Sequence, residues 1–179
     1  MAKRKLSKKP ELTFGSVCLV KTVDGLENAH LALLKQLVVE EGLHGIYLAF
    51  GKPGYAVFGP KSGLEAIAKN LFVIDARSGA RIPAAEGQLS LQGPTALTEL
   101  SVYITKLTHD MSYRFVVIDS VNEVLKANGE EATGKFIEYV SGKVRRLEMN
   151  CIMFFVADSK AKRMMKTLES VSDQKIEME

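Results

Sequence analysis

Short apolar runs that alternate with amphipathic helical periods are the feature of this sequence that most restricts its fold. Five runs are rich in β-branched and aromatic residues, and they cover residues 14–20, 45–50, 71–75, 115–119 and 151–157. Continuous runs of this kind predict strands that are buried on both faces, as in parallel sheets. The segment near 175–178 predicts an edge strand.

Helical periods occupy the segments between the runs. Residues 26–41 place several apolar side chains on one face, and Gly42 predicts the end of that helix. Residues 76–94 predict a loose connection, and Asn128 with Gly129 predicts a turn. Further helices are predicted at 63–69, about 97–107, 136–147 and about 160–170. Strands that alternate with helices predict an α/β fold, a three-layer αβα sandwich with a mainly parallel central sheet.

The chain has the size and balance of one globular domain with a short tail. Of its 179 residues, 46% are hydrophobic and 25% are charged, so we expect a single domain over residues 13–179. Residues 1–12 are predicted to be a basic, flexible tail, because residues 1–10 carry a net charge of +5 and the remaining 169 residues carry a net charge of −2. The sequence has no bilayer-spanning run, no secretory signal and no disulfide framework. We therefore expect a cytoplasmic protein.

The turn after the first strand is the place to look for a bound nucleotide, because ligands of such folds bind beyond the carboxyl ends of the strands. A phosphate-binding loop needs glycines whose N–H groups wrap the phosphates. It also needs a lysine for the phosphate oxygens and a hydroxyl for magnesium. Residues 21–30 read KTVDGLENAH and do not contain that pattern.

The order of these segments resembles the RecA/KaiC-type ATPases, in particular the short single-domain relatives that are frequent in archaea. The resemblance rests on GSVCLV before the loop, LALL in the next helix, GIYLAF as second strand, YRFVVIDSVNEV, and the final NCIMFFVAD. It extends from about residue 14 to the end. Its most informative part is the run 116–120, which contains Asp119 and matches the family's magnesium-side strand. The resemblance implies a RecA-like P-loop NTPase fold that commonly forms oligomers.

The resemblance also implies that most of the family's catalytic groups are missing. Asn28 stands where the phosphate-binding lysine belongs, Ala29 stands where the magnesium-binding hydroxyl belongs, and Gly25 alone matches a glycine of the loop. Glu27 would place a negative charge near the phosphates. No acid follows the second strand at residues 50–53, where the family has the carboxylate that activates water, so only Asp119 remains.

These losses predict an inactivated member of the family that does not hydrolyse ATP and has no catalytic residue, cofactor or metal. We expect a regulatory or scaffolding protein of the signal-transduction type, which acts through a protein partner or by self-association and does not bind membranes.

Two alternatives remain open at the level of sequence. An ATP-binding switch, or an ATPase with a non-standard phosphate loop, would use Asp119 for magnesium and Lys52 or Lys61 for the phosphates. A nucleic-acid accessory protein would bind through the tail, and its binding would fall steeply with salt. The basic residues of the tail are Lys3, Arg4, Lys5, Lys8 and Lys9.

The remaining candidates have simpler interpretations. The histidines lack the spacing of a metal site and are interpreted as ordinary surface or half-buried residues. Cys18 and Cys151 are expected to be buried, inert thiols, and the resemblance implies that their strands are neighbours. A cluster at the last helix is expected to be a solvated face. The histidines are His30, His44 and His109, and the cluster is Lys160, Lys162, Arg163 and Lys166.

Overall fold

The computed structural model of this chain describes residues 12–22, 30, 32–51, 65–77, 87–109, 112–157 and 161–178. Within them, seven strands form one sheet in the order β4-β3-β2-β5-β6-β1-β7, and every pairing is parallel. The predicted parallel sheet and its edge strand near the end of the chain are confirmed. The strands are β1 Val17–Thr22, β2 His44–Ala49, β3 Leu71–Asp75, β4 Gln88–Ser90, β5 Tyr113–Ile118, β6 Asn150–Val156 and β7 Gln174–Met178.

Helices cover both faces of this sheet. One face packs against α3, α4 and α5, and the other packs against α1 and α2. The predicted three-layer sandwich is confirmed. None of the described helices is long and apolar enough to cross a membrane. The helices are α1, of which Lys35–Glu40 is π-helical, α2 Glu65–Ala68, α3 Leu97–His109, α4 Val121–Arg146 and α5 Lys162–Val171.

The apolar runs are continuous because the central strands are buried on both faces. In β6, Cys151 and Met153 enter the core under α4, whereas Ile152 and Phe154 enter the core under α1. Successive side chains of a strand point to opposite faces. Both sets must therefore be apolar, which is the pattern that the sequence shows.

Two local features were not predicted from the sequence. β4 lies within residues 76–94, which were predicted to be a loose connection. Its three residues are only half-buried. The strand is defined by its pairing with β3, in which Leu89 of β4 stands beside Ile74. The helix predicted at 26–41 contains a π-helical segment. It ends before Gly42 as predicted, and the φ of +66° at Gly42 suits the left-handed residue that follows a helix.

The turn predicted at Asn128 and Gly129 is a kink inside α4. This helix begins after Ser120, whose hydroxyl caps it by accepting the N–H of Glu123 at 3.3 Å. Gly129 has a φ of 75° and a ψ of 174°, so the helical geometry is interrupted there and resumes. The helix predicted at 136–147 is the second part of this longer helix.

Gly45 lies at the closest approach between two central strands. A Cβ atom at this position would overlap the ring of Phe115 in β5, which is fully buried. The register between β2 and β5 also shifts between His44 and Gly45. The sheet can therefore close here only around a residue without a side chain.

Candidate functional site

Asp119 lies at the carboxyl edge of the sheet, directly after β5. Its side chain accepts hydrogen bonds from the backbone N–H of Phe50 at 2.7 Å and of Gly51 at 3.2 and 3.3 Å to its two oxygens. The residue is only 3% exposed. A buried carboxylate is costly unless hydrogen bonds satisfy it, and these backbone donors do so. Asp119 therefore ties the turn after β2 to the end of β5.

An acid at the end of a strand often caps the turn that follows its own strand. Ser120 performs that capping at the start of α4, whereas Asp119 caps the turn of the neighbouring strand. The distinction matters for chemistry, because the carboxylate oxygens are directed at Phe50 and Gly51, where the resembled family carries its catalytic carboxylate.

Two titratable side chains lie next to Asp119 on the α1 face of the sheet. The hydroxyl of Tyr47 is beside the carboxylate, and burial together with that negative charge raises its pKa well above the ordinary value. The ring of His30 packs edge-on against Phe154, with 3.8 Å between ring centroids. Burial lowers the pKa of His30 to about 4, and a hydrogen bond to the backbone of Asp119 offsets part of that effect. His30 is therefore a neutral ring at neutral pH.

The other sequence-predicted site residues lie outside the described part of the chain. Gly25, Asn28 and Ala29 belong to the undescribed segment 23–29, which follows β1. Lys52 and Lys61 belong to the segment 52–64, which follows Gly51. The basic residues of the tail are also outside the description. The structure thus brings Asp119 to the ends of β2 and β5, and the predictions about the loop remain predictions.

A cavity of about 430 Å³ opens at the same edge but on the opposite face of the sheet, beside α4. Its size is within the range of small-molecule pockets. The guanidinium of Arg77 in its wall is held by two contacts of 3.2 Å to the carboxylate of Asp75. The ammonium nitrogen of Lys126 lies 3.8 Å from a carboxylate oxygen of Glu123. Each cation of the wall thus has a carboxylate beside it. The lining residues are Phe50, Gly51, Arg77, Pro94, Glu123, Lys126 and Ala127.

The cysteines form no redox pair in this sheet. Cys18 and Cys151 lie in neighbouring strands, as predicted, but Cys18 points into the core under α1 and Cys151 into the core under α4. Burial raises the pKa of both thiols to about 12. The prediction that both thiols are buried is confirmed, and their inertness stays a prediction.

The basic residues of α5 form an exposed helix face, as predicted for those that the structure describes. Lys162, Arg163 and Lys166 are exposed, whereas Met164 and Leu168 on the other side of the helix are buried. Arg163 lies 3.5 Å from Glu130 of α4.

Sequence reasoning found Asp119 but missed the groups that surround it. The donors from residues 50 and 51 are backbone amides, which no residue type reveals. Tyr47 lies within an apolar strand and reads there as a core residue. Its position next to Asp119 follows only from the pairing of β2 with β5. His30 was interpreted as an ordinary histidine, and its contact with Phe154 crosses more than 120 residues of sequence.

Comparison with protein families identifies the group to which this chain belongs. A model described as a family of unknown function (DUF7504) matches residues 61–178, which is more than half of the chain. The chain is a member of this family. In this DUF7504 protein, the matched residues 61–178 include Asp119 and the strands from β3 to β7. Gly25, Asn28 and Ala29 precede the matched part. No curated protein matches the sequence significantly.

Comparison with solved structures shows the fold of this DUF7504 protein. A KaiC-like protein from the hyperthermophilic archaeon Pyrococcus horikoshii superposes with a TM-score of 0.62, over 93% of this chain and 73% of that chain. The two sequences are 13% identical. This likeness confirms the RecA-like fold expected from the sequence, and at such identity it shows the fold alone.

Proposed function

We propose that this DUF7504 protein is a RecA/KaiC-like domain that does not hydrolyse ATP and acts as a regulatory or scaffolding protein in a signal-transduction process. Its work would be done through contacts with a protein partner or with further copies of itself. The observation that carries the proposal is the engagement of the Asp119 carboxylate by the backbone of Phe50 and Gly51.

The geometry of Asp119 supports this proposal because a magnesium site needs carboxylate oxygens that are open to the ion and its waters. Mg²⁺ requires near-ideal octahedral geometry and gives up its waters reluctantly. An ion at Asp119 would have to compete with backbone donors as close as 2.7 Å at a residue that is 3% exposed. Two features of the sequence point the same way. Asn28 and Ala29 lack the charge and the hydroxyl of a phosphate loop, and no acid occupies residues 50–53.

Thermal unfolding with and without millimolar MgATP tests the proposal. A ligand at 100 times its dissociation constant stabilises a protein by about 2.7 kcal/mol, which shifts the midpoint by roughly 2–4 °C at this size. We expect no shift and no ATP hydrolysis.

The matched variants are Asp119→Asn and Asp75→Asn, since Asp75 is a second strand-end carboxylate and is 8% exposed. A magnesium-dependent shift that is lost in Asp119→Asn and kept in Asp75→Asn would overturn the proposal.

The second candidate is an ATP-binding switch, and two buried polar atoms favour it. Thr22 Oγ1 and His30 Nε2 have no hydrogen-bond partner in the described structure, and the two residues flank the segment 23–29 in sequence. A ligand at that edge could supply the missing partners. Under this candidate, MgATP would stabilise the native chain, and Thr22→Val, which removes the hydroxyl and keeps the volume, would reduce the shift.

A further inference from the structure

The last strand, β7, has one edge that no described strand occupies. Its other edge pairs with β1, and β7 stands at the end of the seven-stranded order. An edge strand presents unpaired backbone donors and acceptors and is a template for a further strand. Five residues, Gln174–Met178, form this edge.

The phase of the backbone shows which residues of β7 direct their N–H and C=O groups outward. The carbonyl of Ser16 accepts from the N–H of Cys151 in β6, so the even-numbered residues of β1 bond to β6 and the odd-numbered residues face β7. In a parallel pair, a residue that directs both backbone groups at the neighbouring strand stands beside one that directs them away. Leu19 faces β7 and stands beside Lys175. Ile176 therefore bonds to β1, whereas the N–H and C=O of Lys175 and Glu177 point to the open side.

The charges on either side of Ile176 are self-complementary. Lys175 and Glu177 are both exposed. If a second copy of β7 pairs antiparallel about a two-fold axis at Ile176, each Lys175 stands opposite Glu177 of the second copy. The two Lys–Glu positions then form hydrogen-bonded pairs, in which the Cα atoms are about 5.5 Å apart and opposite charges attract across the strands. Ile176 forms the non-hydrogen-bonded pair between them.

We propose that β7 is the site at which two copies of this chain associate, antiparallel and centred on Ile176. The neighbouring two-fold registers are disfavoured, because a centre at residue 175 opposes two lysines and a centre at residue 177 opposes two glutamates. Like charges directly opposite each other destabilise a strand pair. The same charges thus select one closed dimer and oppose open-ended aggregation.

The surroundings of Glu177 are compatible with this pairing. Lys21 of the same chain donates to the Glu177 carboxylate at 2.9 Å, yet the Glu177 side chain remains 73% exposed. An ionised carboxylate has about four lone-pair sites, so it can accept from a second ammonium as well. Joining two such sheets gives about 14 strands, which is within the range of open sheets in large α/β proteins.

This inference names the surface for the self-association in the proposed function, and it rests on that function only for its biological meaning. Its test uses no nucleotide, so either idea can fail without the other.

Charge reversal followed by mixing is the decisive experiment, measured by sedimentation equilibrium on the full chain. We expect the native chain to form a dimer that dissociates on dilution. Lys175→Glu alone and Glu177→Lys alone should each raise the dimer dissociation constant roughly tenfold or more, because each change opposes like charges twice. An equimolar mixture of the two variants should restore a heterodimer, since both strand positions are then complementary.

A cysteine pair gives a second measurement that does not depend on charge. Ile176→Cys should form a disulfide-linked dimer on mild oxidation, because the Cα atoms of a non-hydrogen-bonded antiparallel pair are about 4.5 Å apart, within the span of a disulfide. Gln174→Cys is the matched control, since its two copies would be about 14 Å apart. The native cysteines are buried and should not react.

Three outcomes would overturn the inference. The first is a native chain that stays monomeric at all concentrations. The second is a dimer whose dissociation constant is unchanged by both charge reversals. The third is equal cross-linking of the cysteine variants at positions 174 and 176. Circular dichroism of each variant separates loss of pairing from loss of folding. If a charge variant does not fold, the cysteine measurement decides alone.

Discussion

Replacing His30 by asparagine should remove most of a stability loss that the native chain undergoes between pH 7 and pH 5. The ring packs edge-on against Phe154 at 3.8 Å between centroids. Burial lowers its pKa to about 4, with a partial offset from the hydrogen bond to the Asp119 backbone. The unfolded chain should show the ordinary pKa of about 6.5. Only the unfolded chain therefore binds a proton at this ring at pH 5.

The size of the effect follows from the two pKa values of His30. A base with a lowered pKa in the folded state contributes its full stability above about pH 6.5 and loses it progressively as the pH falls towards 4. Between pH 7 and pH 5, this one ring should cost about 2 kcal/mol of the free energy of unfolding. The full separation of the two pKa values corresponds to about 3 kcal/mol.

Urea unfolding of the native chain and of His30→Asn, each at pH 7 and pH 5, measures this loss. Asparagine keeps an N–H donor and does not titrate in this range. The smaller side chain lowers the absolute stability, so the readout is the difference between the two pH values. His44→Gln is the control, because the His44 side chain is exposed, and it should retain the native loss. An equal loss in His30→Asn, or an imidazole that titrates above pH 6 in the folded protein, would refute the argument from burial.

Two further substitutions test the packing around the sheet. Thr133→Val should raise the free energy of unfolding by about 1 kcal/mol, because the Thr133 hydroxyl is fully buried and has no hydrogen-bond partner in the described structure. A lower free energy of unfolding in urea would contradict this prediction. Gly45→Ala should lower it by about 2 kcal/mol or more, because the new methyl group overlaps Phe115. Its control, Gly142→Ala, adds a methyl group on a helix with no atom within 4 Å, so thermal unfolding should show a gain of roughly 0.5–1 kcal/mol.

The fold could be predicted from the sequence wherever a segment is buried on both faces. β6 is the clearest example, because its seven residues include Cys151, Met153 and Phe155 for one core and Ile152 and Phe154 for the other. β4 could not be predicted, since three half-buried residues carry no such signal and only pairing with β3 defines them. The turn signal at residues 128–129 was correct locally, because Gly129 interrupts the helical geometry, but it does not end α4, whose first turns precede it.

The candidate site was only partly accessible to sequence reasoning. An aspartate after an apolar strand is a readable signal, and Asp119 does lie at the predicted strand end. Its hydrogen-bond donors are backbone N–H groups of Phe50 and Gly51, almost 70 residues earlier, so they depend on the pairing of β2 with β5. Tyr47 and His30 reach the same place through the same pairing and through α1. No periodicity in a single sequence encodes such proximity.

The position of β1 within the sheet has a consequence for biosynthesis. β1 is the first of the described strands along the chain, but its two neighbours are β6 and β7, the last of the described strands. Contacts over such sequence distances form slowly, because the loop must be closed before the pairing stabilises it. Residues Val17–Thr22 therefore remain unpaired until β6 is made, about 130 residues later, and one edge remains open until β7 is made, about 150 residues later. During this time the open edges of an apolar strand can pair with wrong partners. A nascent chain of this topology has reason to depend on chaperones until its final strand is free.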